Sequence, residues 1–136
     1  MLVSTKGRYA LRVMIDLAKH QADGAVPLRD IAQRQEISEK YLEAIIKLLV
    51  QGGLVAGSRG KKGGYRLTRL PSEYTAWDII SATENSFYAV ECLSPGAAKC
   101  GRAAACETLP MWKNFSDTIE TFFKKYTLED LAGSPV

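Results

Sequence analysis

Between Leu28 and Gln51 two apolar stripes of helical period are separated by only three residues, and that spacing leaves few folds open. Leu28, Ile31 and Ala32 share one face of a two-turn helix over 28–35. Glu36-Ile37-Ser38 breaks the period, and Ser38 is suited to cap a second helix because its hydroxyl can accept an unpaired backbone N–H. Leu42, Ile45, Ile46 and Leu49 then recur at i, i+3, i+4 and i+7, a stripe that faces a core. Lys40, Glu43, Ala44, Lys47 and Gln51 occupy the opposite face. A short helix, a tight turn and a second helix with a free polar face make a helix-turn-helix, whose second helix is shaped for the major groove. Gly52-Gly53 ends the second helix. Leu54-Val55-Ala56 and Tyr65-Arg66-Leu67 are predicted to pair as strands across the loop 57–64, which holds three cations and four glycines. Such a hairpin suits a wing lying along phosphates. Helix pairs alone are common in helical domains that bind nothing. The basic hairpin directly behind this one is what points to DNA.

Charge agrees with that placement. Residues 1–70 carry a net charge of +7 and residues 71–136 a net of −4, within a chain total of +3. Affinity for a polyanion therefore belongs to the first half. No apolar run approaches the roughly 18 residues that span a bilayer, and no signal core follows the first charges. A cytoplasmic protein without a membrane partner is expected. Acid–base pairs and phosphate-binding signatures are absent, and Gly60-Lys61 lacks the following Ser/Thr of a P-loop, so an enzyme is not expected.

The rest of the chain reads as follows. A first helix should run from Thr5 to about Gln21, burying Ala10, Val13, Met14, Leu17 and Ala18. Pro71 to Tyr74 reads as a connector, and Thr75 to Thr83 as a short helix through Trp77, Ile79 and Ile80. Little periodicity is found from Glu84 to Cys106, which is expected to be a long loop; loops of that length are usually functional or disordered. A helix should return from Leu109 to Tyr126, with one more turn over 127–131. Trp112, Phe115, Ile119, Phe122 and Tyr126 step by three and four along it, the seam of a helix packing on a partner helix. Packing inside its own domain is the alternative. A homodimer is expected, because reading a two-fold operator requires two recognition helices about one DNA turn apart. The fold class is mainly α with a small β-hairpin wing. Residues 1–74 form a winged helix-turn-helix DNA-binding domain, and residues 75–136 carry the cysteine loop and the dimerisation helix, in one compact unit.

The long loop holds Cys92, Cys100 and Cys106, the three cysteines of the chain. Three thiols in so short a stretch can converge on one point, and thiolates are soft ligands for iron–sulfur clusters or zinc. Zinc usually takes closely spaced cysteine pairs, which are missing here. Gly96, Ala97, Ala98, Gly101, Ala103, Ala104 and Ala105 are small enough for backbone to wrap closely around a cluster. His20, the one histidine, lies far from the loop in sequence and speaks against thiol–imidazole catalysis. Three unligated thiols remain an alternative.

Ser4-Thr5-Lys6-Gly7-Arg8-Tyr9-Ala10, Tyr41-Leu42-Glu43, Gly52-Gly53-Leu54-Val55, Arg59-Gly60 and Gly63-Gly64-Tyr65 resemble the Rrf-two family of winged-helix repressors. The resemblance runs from Met1 to about Gly133. It implies a homodimer with crossed long helices and a cluster loop near the other subunit's DNA-binding part. With it, the candidate DNA contacts are Ser4, Thr5, Lys6 and Arg8 at the first helix, Leu28, and Ser38, Glu39, Lys40, Tyr41, Glu43, Ala44 and Lys47 at the second helix of the motif. Arg59, Gly60, Lys61, Lys62 and Tyr65 complete the set at the wing. The three cysteines match the cluster-binding branches, which implies an iron–sulfur cluster (2Fe-2S or 4Fe-4S), labile in character. Two positions depart from the family. Leu109 stands where one branch has histidine three residues after the third cysteine, and Arg8 where another has aspartate. The fourth ligand is open, with Glu107 and Glu91 as candidates. The function implied is a regulator whose operator affinity is set by the cluster. A thiol-switched or small-molecule-responsive repressor of the same fold is the first alternative, and a small iron–sulfur or redox carrier the second.

Overall fold

The computed structural model describes residues 3–84 and 88–133. Helix α1 spans Thr5–His20, with the Ser4 hydroxyl accepting from the Gly7 N–H at 3.2 Å as its cap. Ala10, Val13, Met14 and Leu17 are fully buried along one side, while Ala18 is only half-buried. A 3-10 turn over Gln21–Asp23 follows. Helices α2 (Leu28–Gln35) and α3 (Glu39–Gln51) lie where the apolar stripes put them, and Ser38 caps α3 through the Tyr41 N–H.

The turn between them is a left-handed helix stop. Glu36 sits at φ 55°, ψ 45°, the Ile37 N–H reaches back to the Ala32 carbonyl at 3.1 Å, and the Glu36 N–H to Gln33 at 3.4 Å. That pair of bonds satisfies carbonyls the helix end would leave orphaned, and it swings Ile37 into the core. Helix α3 ends by the same device, with Gly53 at φ 74° and the Leu54 N–H bonded to the Leu49 carbonyl at 3.0 Å.

Strands β1 (Val55–Ser58) and β2 (Gly64–Leu67) pair antiparallel, Val55 opposite Leu67 and Ser58 opposite Gly64. They reach further into the loop than the apolar pattern predicts, because glycine and serine there can pair by backbone alone. Val26 and Tyr65 exchange backbone bonds at 2.8 Å in each direction, which ties the wing to the segment entering α2. Gly64 is required at that crossing: a side chain there would run into the Val26 carbonyl.

Helix α4 (Ala76–Thr83) opens with a reciprocal capping box between Thr75 and Asp78. The loop that follows contains 3-10 turns at Glu91–Leu93 and Ala103–Ala105, then α5 (Leu109–Lys124) and α6 (Leu128–Gly133). Helix α6 returns to the body. The Ala76 N–H bonds the Tyr126 carbonyl at 2.8 Å, the Leu128 N–H bonds Tyr74 at 3.0 Å, and Leu128 is buried in the core shared with α1. Among the described residues no helix is long and apolar enough to cross a membrane.

Two polar groups hold this body together. The Asp16 carboxylate is buried and accepts from Arg34 at 2.7 and 2.9 Å and from Gln35 at 2.9 Å. Its full set of donors offsets the cost of desolvating the charge. The same hydrogen bonds hold the Arg34 guanidinium above its ordinary pKa, against the opposing effect of burial. Tyr74, expected in a connector, is fully buried. Its hydroxyl donates to the Leu54 carbonyl at 2.8 Å and accepts from the Thr68 and Arg69 N–H groups at 2.9 and 3.0 Å.

Candidate nucleic-acid interface and thiol loop

The apolar side of α3 fixes the direction of its polar side. Leu42, Ile45, Ile46 and Leu49 are buried against α1 and α2, so Glu39, Lys40, Glu43, Ala44 and Lys47 are all exposed on the opposite face. Arg59, Gly60, Lys61 and Lys62 are exposed at the tip of the wing. The remaining predicted contacts are more engaged. Ser38 is occupied as the cap of α3, and Tyr41 is half-buried with its ring edge-on to Tyr9, centroids 5.8 Å apart. Leu28 and Tyr65 pack partly buried against the core. Arg12 lies over the Tyr9 ring at 5.0 Å and donates to the Gln35 carbonyl and side chain, clamping α1 to the turn of the motif.

At the start of α1 the side chains are organised by a residue that sequence reading passed over. The Glu84 carboxylate, directly after α4, accepts from the Ser4 N–H at 3.0 Å and the Ser4 hydroxyl at 2.6 Å. Gly7 makes the approach possible, since a Cβ there would sit 2.5 Å from the carboxylate oxygen. A carboxylate at a helix N-terminus also complements the helix dipole. Thr5 accepts from Arg8 at 3.2 Å, and both are exposed, with Lys6 half-buried between them. Only the pairing of Ser4 with a residue 80 positions away would have revealed the Glu84 contact, and no local pattern carries it.

The three cysteines are unpaired; Cys92 and Cys100 are exposed and Cys106 is half-buried. Cys106 precedes α5, where the Thr108 hydroxyl, 3.5 Å from its sulfur, lowers the thiol pKa; the Thr108 and Leu109 N–H groups and Arg102 act in the same direction. As donors, three thiols on one flexible-length loop suit a soft-metal cluster in kind. Their placement does not gather them: among the described residues no group of three or more His, Cys, Asp or Glu side chains is poised for a metal ion. Of the candidate fourth ligands, Glu91 accepts from the Tyr88 hydroxyl at 3.0 Å, and Glu107 is exposed.

The expected seam of α5 divides in two. Phe115, Phe122 and Tyr126 are exposed, together with Met111, which the sequence reading did not include. Trp112 and Ile119 are half-buried: Ile119 lies on the side shared with Trp77 of α4, and the Trp112 ring meets Phe115 edge-on, centroids 6.4 Å apart. No residue of α5 is buried.

A helix-turn-helix with its recognition face open, followed by a basic hairpin anchored to the motif, defines a winged helix-turn-helix protein. The Rrf2 family profile, described as an iron-dependent transcriptional regulator, matches residues 3–134. The chain is 40% identical over 134 residues to the HTH-type transcriptional regulator IscR of Pectobacterium atrosepticum, covering 98% of this chain and 80% of that one. CymR, the global cysteine regulator of B. subtilis, superposes with a TM-score of 0.78 at 37% identity, over 100% of this chain and 99% of that one. IscR of T. potens superposes with a TM-score of 0.74 at 37% identity, over 96% and 85%. The chain belongs to the Rrf2 family of transcriptional regulators, and it is a DNA-binding regulator rather than an enzyme.

Proposed function

We propose that the protein is a homodimer whose affinity for a DNA operator is set by an iron–sulfur cluster held by Cys92, Cys100 and Cys106. One observation carries the reading: every cysteine of the chain lies unpaired in the single loop that joins Glu84, the anchor of α1, to α5. Bound there, a cluster would supply a covalent tie among three points of the loop that is lost when iron is short or oxidants are present. The chain's own residues transmit the change. Ordering of the loop bears on Glu84, Glu84 holds Ser4 at the start of α1, and Arg12 and Asp16 of α1 hold the motif through Gln35 and Arg34. The loop thus biases one arrangement of the DNA-binding half over another.

Lys40, Glu43 and Lys47 of α3 are assigned to the major groove and Arg59, Lys61 and Lys62 to phosphates. Glu43 accepts from cytosine N4 and discriminates between operators, while each wing cation adds about 1 to the salt slope of binding. Met111, Phe115, Phe122 and Tyr126 form the dimer contact, since four large apolar side chains in one exposed patch mark an interaction surface. The experiment is anaerobic reconstitution of the wild type and each Cys→Ala variant, with iron, sulfide and operator binding measured on each. Iron uptake by the wild type, lost in all three variants and accompanied by a change in operator affinity, is the expected result. A variant that keeps a full cluster removes that cysteine from the ligand set.

The lowered thiol pKa of Cys106 favours a second reading, a direct thiol switch, because the thiolate is the reactive form. A wild type that takes up no iron but changes operator affinity on thiol oxidation selects it.

A further inference from the structure

Beside the cysteine loop lies an open cavity of about 340 Å³, lined by α4, the loop and α5. The volume falls at the lower end of the roughly 300–1,000 Å³ typical of small-molecule sites. Its apolar lining comes from Trp77, Leu93, Pro95 and Ile119. Its polar lining is concentrated on one side of α5, where Lys113, Ser116 and Asp117 follow at i, i+3 and i+4. The Ser116 hydroxyl is buried and has no hydrogen-bond partner among the described residues. An unpaired buried hydroxyl costs free energy unless something else satisfies it. Glu120, also in the lining, is held by Lys124 at 3.4 Å. Lys113 and Asp117 are one helical turn apart, yet they form no ion pair with each other among the described residues.

We propose that this cavity binds a free α-amino acid with an apolar side chain, in its zwitterionic form. The ligand must present a negative and a positive group close together, because the site presents one cation and one free anion a single turn apart. A plain carboxylic acid would leave Asp117 facing a like charge, and a plain amine would do the same at Lys113. The amino acid's carboxylate meets Lys113 and the Ser116 hydroxyl, its ammonium meets Asp117, and its side chain lies against Trp77, Leu93 and Ile119. None of Met111, Phe115, Phe122 and Tyr126, assigned above to the dimer contact, lines the cavity. The ligand would instead stiffen the loop wall at Leu93, next to Cys92. The inference does not require a cluster.

The test uses the full chain, with tryptophan fluorescence and thermal shift read during titration with L-leucine, L-methionine and L-phenylalanine. Isopentylamine and 4-methylpentanoate serve as leucine analogues that each lack one charge. Saturable binding of at least one amino acid in the millimolar range or tighter is expected. Both analogues, and the variants Lys113→Met and Asp117→Asn, should bind about tenfold more weakly or worse. Both substituted residues are exposed at the cavity's rim, and a melting curve confirms that each variant is folded. Absence of binding at millimolar concentration overturns the proposal, as does equal binding of either analogue or unchanged affinity in both variants. Operator binding measured in parallel separates the two conclusions: intact DNA binding with no amino-acid binding overturns this inference alone.

Discussion

Helices α1 and α5 each run for 16 residues and each carries an apolar stripe of helical period. Their surroundings are opposite. In α1, six residues from Gly7 to Leu17 are buried, among them a carboxylate, and other helices pack on it from α2, α3, α4 and α6. In α5 no residue is buried as a whole, and three large apolar side chains, Met111, Phe115 and Phe122, face outward, with Tyr126 just past its end. The same sequence pattern is satisfied within the chain in one case and left unsatisfied in the other. An amphipathic helix says that a cover is needed; only its place in the fold says whether the chain supplies one. α1 belongs to the part of the chain to which DNA contacts are assigned in the proposal, and α5 to the part assigned to assembly.

The most severe way to break this contrast is to charge the open face. Phe122→Glu should give a monomer by sedimentation or light scattering, with the melting of the α1 body little changed. Operator affinity should fall roughly 10²-fold or more, because two linked half-site contacts become one. Ile119 is a poorer target than its place in the expected seam implies, being half-buried against its own body. A soluble dimer carrying Phe122→Glu with normal DNA binding would mean that another surface joins the subunits.

The converse change lies in α1. Asp16→Asn removes the charge that Arg34 and Gln35 bind while keeping the side chain's shape. Hydrogen bonds to charged groups contribute about 1.5–3 kcal/mol, so a loss of about 2 kcal/mol in urea unfolding is expected, with the dimer intact. Arg34 is one-third exposed and can turn to water, which keeps the cost from being larger. Tyr74→Phe should follow at about 1–2 kcal/mol, since the Leu54 carbonyl and two backbone N–H groups lose their shared partner. Stability unchanged in both variants would show that the body is held by apolar packing alone.

These polar anchors mark where sequence reading stopped. Helices α2 and α3, the Ser38 cap and the wing are legible because their signals are local: period, cap residue and glycine placement act within a few positions. Asp16 reads in sequence as an interruption of an apolar helix, since its partners lie 18 and 19 residues away in another helix. Tyr74 follows a proline in what reads as a connector, and its role depends on backbone groups that no side-chain pattern marks: the Thr68 and Arg69 N–H groups just before it and the Leu54 carbonyl 20 residues away. The split face of α5 was hidden for a related reason: a three-four spacing does not distinguish the side facing α4 from the side facing solvent. Three closely spaced cysteines indicate a ligand set by chemistry, but the described backbone does not bring them together.

The smallest expected effect is a gain. Glu36 is the one non-glycine among the described residues with positive φ. The left-handed conformation costs an L-residue about 1–2 kcal/mol, part of which glycine gives back through the larger entropy of its unfolded chain. Glu36→Gly should therefore stabilise the α1 body by about 0.5–1 kcal/mol, raising the melting temperature by a few degrees. The side chain is exposed and the turn's backbone bonds do not depend on it, so operator affinity and assembly should be unchanged. A lower melting temperature would show that the carboxylate itself supports the turn. Raised stability with weakened DNA binding would place Glu36 among the operator contacts, extending the recognition surface from α3 back into the turn.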